Sequence, residues 1–198
     1  MNLRRTPTDS VTMRGIEIQL DLAFDRVLTW LELLDDDEFS SEEKLDISLN
    51  LLLADDTVIS DFSIYDKSKL LEEIEKEHIC QKSKRRGKSS PPTFDYVQDA
   101  DLIFASFYMD YGIDLLEEIG KLHWAKFTAL FAGLSERTKM FKVMEIRGRE
   151  IPPPDKYNAK EIRDLKEQKL YWKLEVKDAK DNFQDGINEM AKAFANMR

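Results

Sequence analysis

The stretch YVQDADLIFASFYMDYG, residues 96–112, decides the fold class of this chain. Tyr96, Ala100, Ile103, Phe107 and Tyr111 recur at steps of four, three, four and four, a spacing that lines up side chains on one face of an α-helix and on neither face of a strand. Gly112 stands where a helix ends best in a left-handed residue, because glycine has no Cβ to collide with the carbonyl. The period predicts a helix that starts near Tyr96 and stops at Gly112.

The same period continues downstream. A helix is expected from about Leu122 to Ala132, where Trp124, Phe127 and Phe131 make one stripe and Leu122, Ala125 and Ala129 another. Lys121 and Lys126 are its polar relief. A helix this apolar is buried or binds something; a core position is the plainer account, and Trp124, Phe127 and Phe131 stand as candidate protein-binding residues. Ser135 is placed to cap a further helix carrying Met140, Val143 and Met144 up to Gly148. Pro152, Pro153 and Pro154 then forbid continuation.

After the prolines, Asn158 with Glu161 reads as a capping arrangement. An apolar series follows through Ile162, Leu165, Trp172, Val176, Ala179, Phe183, Ile187, Met190 and Phe194, broken only at Lys169. About forty residues of helix are implied, with Asp185-Gly186 as the one point of interruption. At about 1.5 Å per residue that is on the order of 60 Å, against a radius of gyration of roughly 16 Å for a domain of this size. The far end then needs a partner or frays, so Trp172, Phe183, Ile187, Met190 and Phe194 are expected to form a docking row for another protein.

Upstream of the deciding stretch, residues 81–93 read QKSKRRGKSSPPT, with five basic residues and no acid. This is a solvated linker or loop, or a tethered arm for phosphate or an acidic partner. Nearer the start, Val11, Met13, Ile16, Ile18 and Leu20 flank Arg14-Gly15 in the manner of a short hairpin. Leu20, Phe24, Val27, Leu31 and Leu34 then recur at helical steps, ending at Asp35-Asp36-Asp37. Ser40 and Glu43 form a capping box ahead of Leu45, Leu49 and Leu52. Leu70, Leu71, Ile74 and His78 suggest a third helix, with Asp66 near its start. The expected fold is mainly α: a helical domain with a short N-terminal β-hairpin and a long C-terminal amphipathic helix. It divides into hairpin plus helices (1–80), basic segment (81–93), helical core (94–151) and terminal helix (152–198).

Composition narrows the function. Of 198 residues, 39 are Asp or Glu and 30 Lys or Arg, so the formal charge of −9 repels nucleic acid at long range. Hydrophobic residues make up 42%, enough to bury a core, while the mean hydropathy of −0.50 suits a wetted surface. The single cysteine, Cys80, is too few for a disulfide framework or a cysteine-built zinc site. Neither a signal-peptide pattern nor an apolar run of about 18 residues is present, so a cytoplasmic protein without a membrane span is expected.

Chemistry-bearing patterns are sparse. His78 and His123 are the only histidines. His123 beside Trp124 reads as a half-buried helix residue, and His78 and Cys80, two apart, point away from each other on a helix. No metalloprotease, phosphate-loop, dinucleotide or nucleophile-elbow motif occurs. The carboxylates Asp35 to Glu38 and Asp95, Asp99, Asp101, Asp110 and Asp114 lack calcium-loop spacing and read as a solvated acidic face. No catalytic, cofactor or metal-binding residue is therefore expected, and no cofactor.

Residues 94–139 resemble a family of bacteriophage proteins, the "gene product fifteen" family. The likeness rests on Gln98-Asp99-Ala100-Asp101, Ala105-Ser106-Phe107, Asp110-Tyr111-Gly112-Ile113-Asp114, Lys121-Leu122-His123-Trp124 and Gly133-Leu134-Ser135, in that order. With the hairpin-like opening and Phe24, Leu28 and Leu31 it extends over roughly residues 10–174. The resemblance implies a non-enzymatic tail assembly chaperone of long-tailed phages, acting in the host cytoplasm. Such a protein covers the tape measure protein before tail tube subunits replace it. Its implied partners are the tape measure and tail tube proteins, with self-association also open. The alternative is a structural tail component retained in the virion. A nucleic-acid regulator using Lys82, Lys84, Arg85, Arg86 and Lys88 is disfavoured, because no recognition helix accompanies the arm.

Overall fold

A computed structural model describes residues 9–79 and 92–175. Among them are seven α-helices and one antiparallel hairpin, so the protein is mainly helical with a short two-stranded N-terminal element. The described residues form two compact units, one of 9–79 with 119–128, the other of 92–118 with 129–175.

The first unit opens with β1 (Ser10–Met13) and β2 (Ile16–Gln19), paired so that Val11 faces Ile18. Arg14 and Gly15 both have positive φ, 54° and 78°. Two successive left-handed residues give a turn whose twist matches that of paired strands, which is why Arg14-Gly15 closes this hairpin. Helix α1 (Phe24–Leu34) buries Phe24, Val27, Trp30 and Leu33. That face is turned one position from the expected Leu31 and Leu34 row, since it takes Trp30 inside, where its Nε1 donates to Ser48 Oγ at 3.1 Å. A buried indole needs such an acceptor.

Helix α2 (Ser41–Leu52) carries the expected Ser40–Glu43 capping box and buries Leu45, Leu49 and Leu52. Helix α3 (Ile64–Ile74) starts with a second box, Ser63 with Asp66, and buries Leu70, Leu71 and Ile74 before relaxing into one π-helical turn, Glu75–Ile79. The unit is completed from far along the chain. Phe24 N–H donates to Leu122 O and Trp124 N–H to Leu22 O, both at 2.8 Å, and Phe127 stacks between Phe24 (5.1 Å) and Trp124 (5.6 Å).

The second unit contains α4 (Ala100–Tyr111), which ends at Gly112 with φ 64° as expected. It begins four residues later than Tyr96, because Asp95 Oδ1 accepts from the N–H groups of Val97 and Gln98 and holds that segment as a turn. Helix α5 (Trp124–Ala132) gives its first residues to one unit and its last to the other. Helix α6 (Lys139–Gly148) is capped by Thr138, whose Oγ1 accepts from Phe141 N–H at 3.3 Å. Ser135, the expected cap, instead donates its N–H and hydroxyl to the Asp110 carboxylate.

Helix α7 (Ala159–Tyr171) corrects two expectations. Asn158 makes no side-chain cap; its amide bridges Asp155 N–H and Pro153 O, while Glu161 pairs with Arg149. The helix also stops after 13 residues, and 172–175 are not helical, so no single helix runs unbroken through the apolar series. Phe183, Ile187, Met190 and Phe194 lie outside the described residues, as do Cys80 and most of the basic segment.

Gly112 tests the end of α4. A Cβ there would touch nothing within 4 Å, so its cost is purely that of left-handed backbone. Gly112→Ala is expected to lower unfolding free energy by about 1 kcal/mol, and Gly112→Asn by less, in urea titrations followed by circular dichroism.

Candidate protein-binding surface

The side chains singled out as protein-binding fall into three groups. Trp124, Phe127 and Phe131 are 5%, 1% and 6% exposed, so they are interior residues and offer no surface. Trp172 is half-buried, edge-on to Tyr171 and 5.2 Å under the Lys139 ammonium. The remaining four lie outside the described residues.

The second unit exposes apolar side chains on and beside α4, as well as at Tyr157 and the end of α7. The inner face of α4 is Ile103, Ser106 and Phe107, and its outer face is Asp101, Ala105, Tyr108 and Met109. Tyr108 and Met109 are each 60% exposed and Leu116, just past the helix, 69%. A helix apolar on both faces ordinarily sits wholly inside a protein. Here one apolar face meets water. Helix α7 presents Leu170 and Tyr171, 75% and 78% exposed, at its C-terminal end.

What holds α4 with that face outward is a set of polar contacts at its start. Asp99, 2% exposed, takes a two-pronged pair from Arg147, with Nη1 to Oδ2 at 2.5 Å and Nη2 to Oδ1 at 2.9 Å. The guanidinium also donates to Thr93 O (3.1 Å) and Trp172 O (2.6 Å), and Lys169 Nζ donates to Arg147 O. One side chain thus ties together the approach to α4, helix α6 and the end of α7. Asp99 is no member of a solvated acidic face, contrary to expectation: a guanidinium with all its prongs used neutralises it in the interior.

Further along, Ser106 Oγ donates to Leu102 O and accepts from Met140 N–H, and Tyr111 hydroxyl donates to Leu130 O. The Tyr111 hydroxyl lies 3.1 Å from where a Cβ on Gly133 would stand, so a side chain there would require the tyrosine to give by a few tenths of an ångström. Phe94 packs edge-on against Phe131 (4.8 Å) and Tyr96 (5.0 Å), and burial pushes the Tyr96 hydroxyl up to about 12.

Both histidines serve the first unit. His123 Nδ1 accepts from Ala125 N–H at 3.0 Å, so the proton of a neutral ring sits on Nε2 and donates to Asp9 Oδ1 at 2.9 Å. Burial holds the His78 imidazole below its ordinary 6.5, outweighing Asp9, Glu77 and Glu73, which favour the charged form. Among the described residues no cluster of three or more His, Cys, Asp or Glu side chains is placed to hold a metal ion. No helix there is long and apolar enough to cross a membrane.

The outer face of α4 escaped sequence reasoning because the row through Ile103 and Phe107 was the stronger pattern. The signal lay in the absence of a polar face: residues 102–109 contain Ser106 as their only polar member besides the tyrosine hydroxyl.

Two predictions follow from these contacts. Asp99→Asn leaves a buried guanidinium without its counter-charge and is expected to destabilise the second unit by about 3 kcal/mol in urea unfolding, and Arg147→Lys, which keeps the charge but loses the fork, is expected to destabilise it as well. A depressed histidine contributes the opposite sign to a salt-bridged one: as pH falls below 6.5 the unfolded chain takes up the proton first, and stability drops toward the lower folded value. Between about pH 7 and pH 5, above the carboxylate range, His78→Gln should flatten that decline in the urea midpoint.

No curated protein and no solved structure matches the chain. The family described as Bacteriophage Gp15 protein matches residues 6–174, which spans the hairpin, all seven helices and the polar ties around Arg147. The chain belongs to the Bacteriophage Gp15 protein family, and it is a phage protein.

Proposed function

We propose that this phage protein is a non-enzymatic tail assembly chaperone: it binds the tape measure protein in the host cytoplasm and holds it until tail tube subunits take its place. The observation that carries this reading is the outward apolar face of α4, Ala105, Tyr108 and Met109, on a helix whose inner face and both ends are fixed. A protein that shields a client needs apolar surface that is ready before the client arrives, since ordering it on contact would cost conformational entropy. The likeness carried by residues 94–139 supports the tape measure protein as that client.

The acidic balance supports the same reading. At a formal charge of −9, copies of the chain repel one another, which limits self-association of a protein with exposed apolar side chains. Among the described residues, the buried polar side chains Ser48, Ser106, Thr138 and Asp99 are engaged in hydrogen bonds within their own units.

Co-expression with the tape measure protein of the same phage is expected to give a soluble complex that co-purifies through a tag on either partner. Mass spectrometry of purified virions should find the tape measure protein and lack this chain. Failure to co-purify would overturn the reading, and this chain at tube stoichiometry in virions would make it a structural tail component instead.

A further inference from the structure

Charge is distributed unevenly along the segment that forms α4 and its flanks. About one residue in seven of the whole chain is Lys or Arg, yet residues 93–120 contain none and carry seven Asp or Glu. One of the seven, Asp99, is neutralised by Arg147. Asp101, Asp110, Asp114 and Glu118 form no ion pair among the described residues. Asp110 and Asp114 accept from Ser135 and from Leu116 N–H, neutral donors that fix the carboxylates in place and leave their charge intact.

We propose that the apolar stripe of α4, Ala105, Tyr108 and Met109, with its rim of uncompensated carboxylates, docks a cationic amphipathic helix of the client protein. The inference rests on the chaperone reading above and specifies the chemistry that the client presents. An apolar row on the incoming helix covers Tyr108 and Met109, while flanking lysines or arginines meet Asp101 near the start of α4 and Asp114 and Glu118 beyond its end. Such a rim speeds encounter and selects the partner's sign of charge, whereas the aromatic and thioether side chains supply the buried contact.

Other occupants fit less well. A second copy of the chain would set one acidic rim against another. Residues 176–198 are apolar at helical spacing but carry four Lys or Arg against four Asp or Glu, so they bring no net positive charge. The basic segment 81–93 has the charge but no large apolar side chain to cover the stripe.

The test uses the full chain and a labelled synthetic helix of Leu and Lys, about 18 residues and so about 27 Å long, against a Leu–Glu helix of the same pattern. Fluorescence anisotropy should show binding of the Leu–Lys helix that weakens with salt, and little binding of the Leu–Glu helix. Tyr108→Ser with Met109→Ser, at positions exposed enough to leave the fold intact by circular dichroism, should weaken binding roughly tenfold. Asp101→Asn, Asp114→Asn and Glu118→Gln together should flatten the salt dependence. Asp35→Asn, Asp36→Asn and Asp37→Asn, which remove the same charge in the first unit, should not.

Equal binding of both helices, or equal losses from the two triple variants, would overturn the proposal. So would unchanged binding by the Tyr108 and Met109 variant. The chaperone reading is tested apart from this. If the chain retains the tape measure protein and the Tyr108 and Met109 variant retains it equally well, the docking site falls and the chaperone stands. If the wild-type chain binds the Leu–Lys helix as described and not the tape measure protein, the chaperone falls and the docking chemistry stands.

Discussion

The second unit depends on one buried ion pair. Arg147 reaches from α6 to the Asp99 carboxylate and spends its remaining donors on the carbonyls of Thr93 and Trp172. Burying either charge alone would cost several kcal/mol, so the pair forms as a whole or the segment does not dock. Because Thr93 and Trp172 lie on opposite sides of it in sequence, the same guanidinium fixes where the chain enters α4 and where it leaves α7. The guanidinium's planar fork matters here, since a lysine could neutralise Asp99 but has only three N–H donors for the four acceptor oxygens that Arg147 reaches.

The consequence for function runs through α4. Its inner residues and its two ends are fixed, by the Asp95–Asp99 turn at one end and by left-handed Gly112 at the other. The face left over is therefore presented in a set conformation, and a partner meeting Tyr108 and Met109 has little ordering cost to overcome on this side. The first unit is built differently, by capping boxes on α2 and α3 and by a tryptophan whose indole is satisfied inside the core. Of its histidines, one links Asp9 to Ala125 by hydrogen bonds and the other is half-buried on a π-helical turn.

Much of the fold was legible from residue spacing. The Arg14-Gly15 turn, the Ser40–Glu43 box, the inward row Leu45, Leu49 and Leu52, and the stop at Gly112 are all local events, each decided by a few neighbouring residues. The misread features share a cause. Ser135, Asn158 and Glu161 have the right spacing for caps, but each found a stronger partner elsewhere: Asp110 for the serine, Asp155 and Pro153 for the asparagine, Arg149 for the glutamate. A cap is a weak interaction, and a competing partner displaces it, whether distant in sequence as for Ser135 and Glu161 or a few residues away in the preceding turn as for Asn158. The candidate surface was missed for a related reason. Periodicity names the apolar rows of a helix but not which of two competing rows is turned inward, as the choice of Trp30 and Leu33 over Leu31 and Leu34 in α1 also shows.

The sequence by itself determined the helical class, the hairpin, the main breaks and the family likeness, because these follow from period, turn chemistry and the order of short motifs along the chain. Only the tertiary structure decided that residues 119–128 complete the N-terminal unit, that Trp124, Phe127 and Phe131 are interior, and that Tyr108 and Met109 are left at the surface. These are matters of which face meets which. They depend on contacts between residues far apart in sequence, such as Phe24 with Phe127 and Asp99 with Arg147, and no local pattern encodes them.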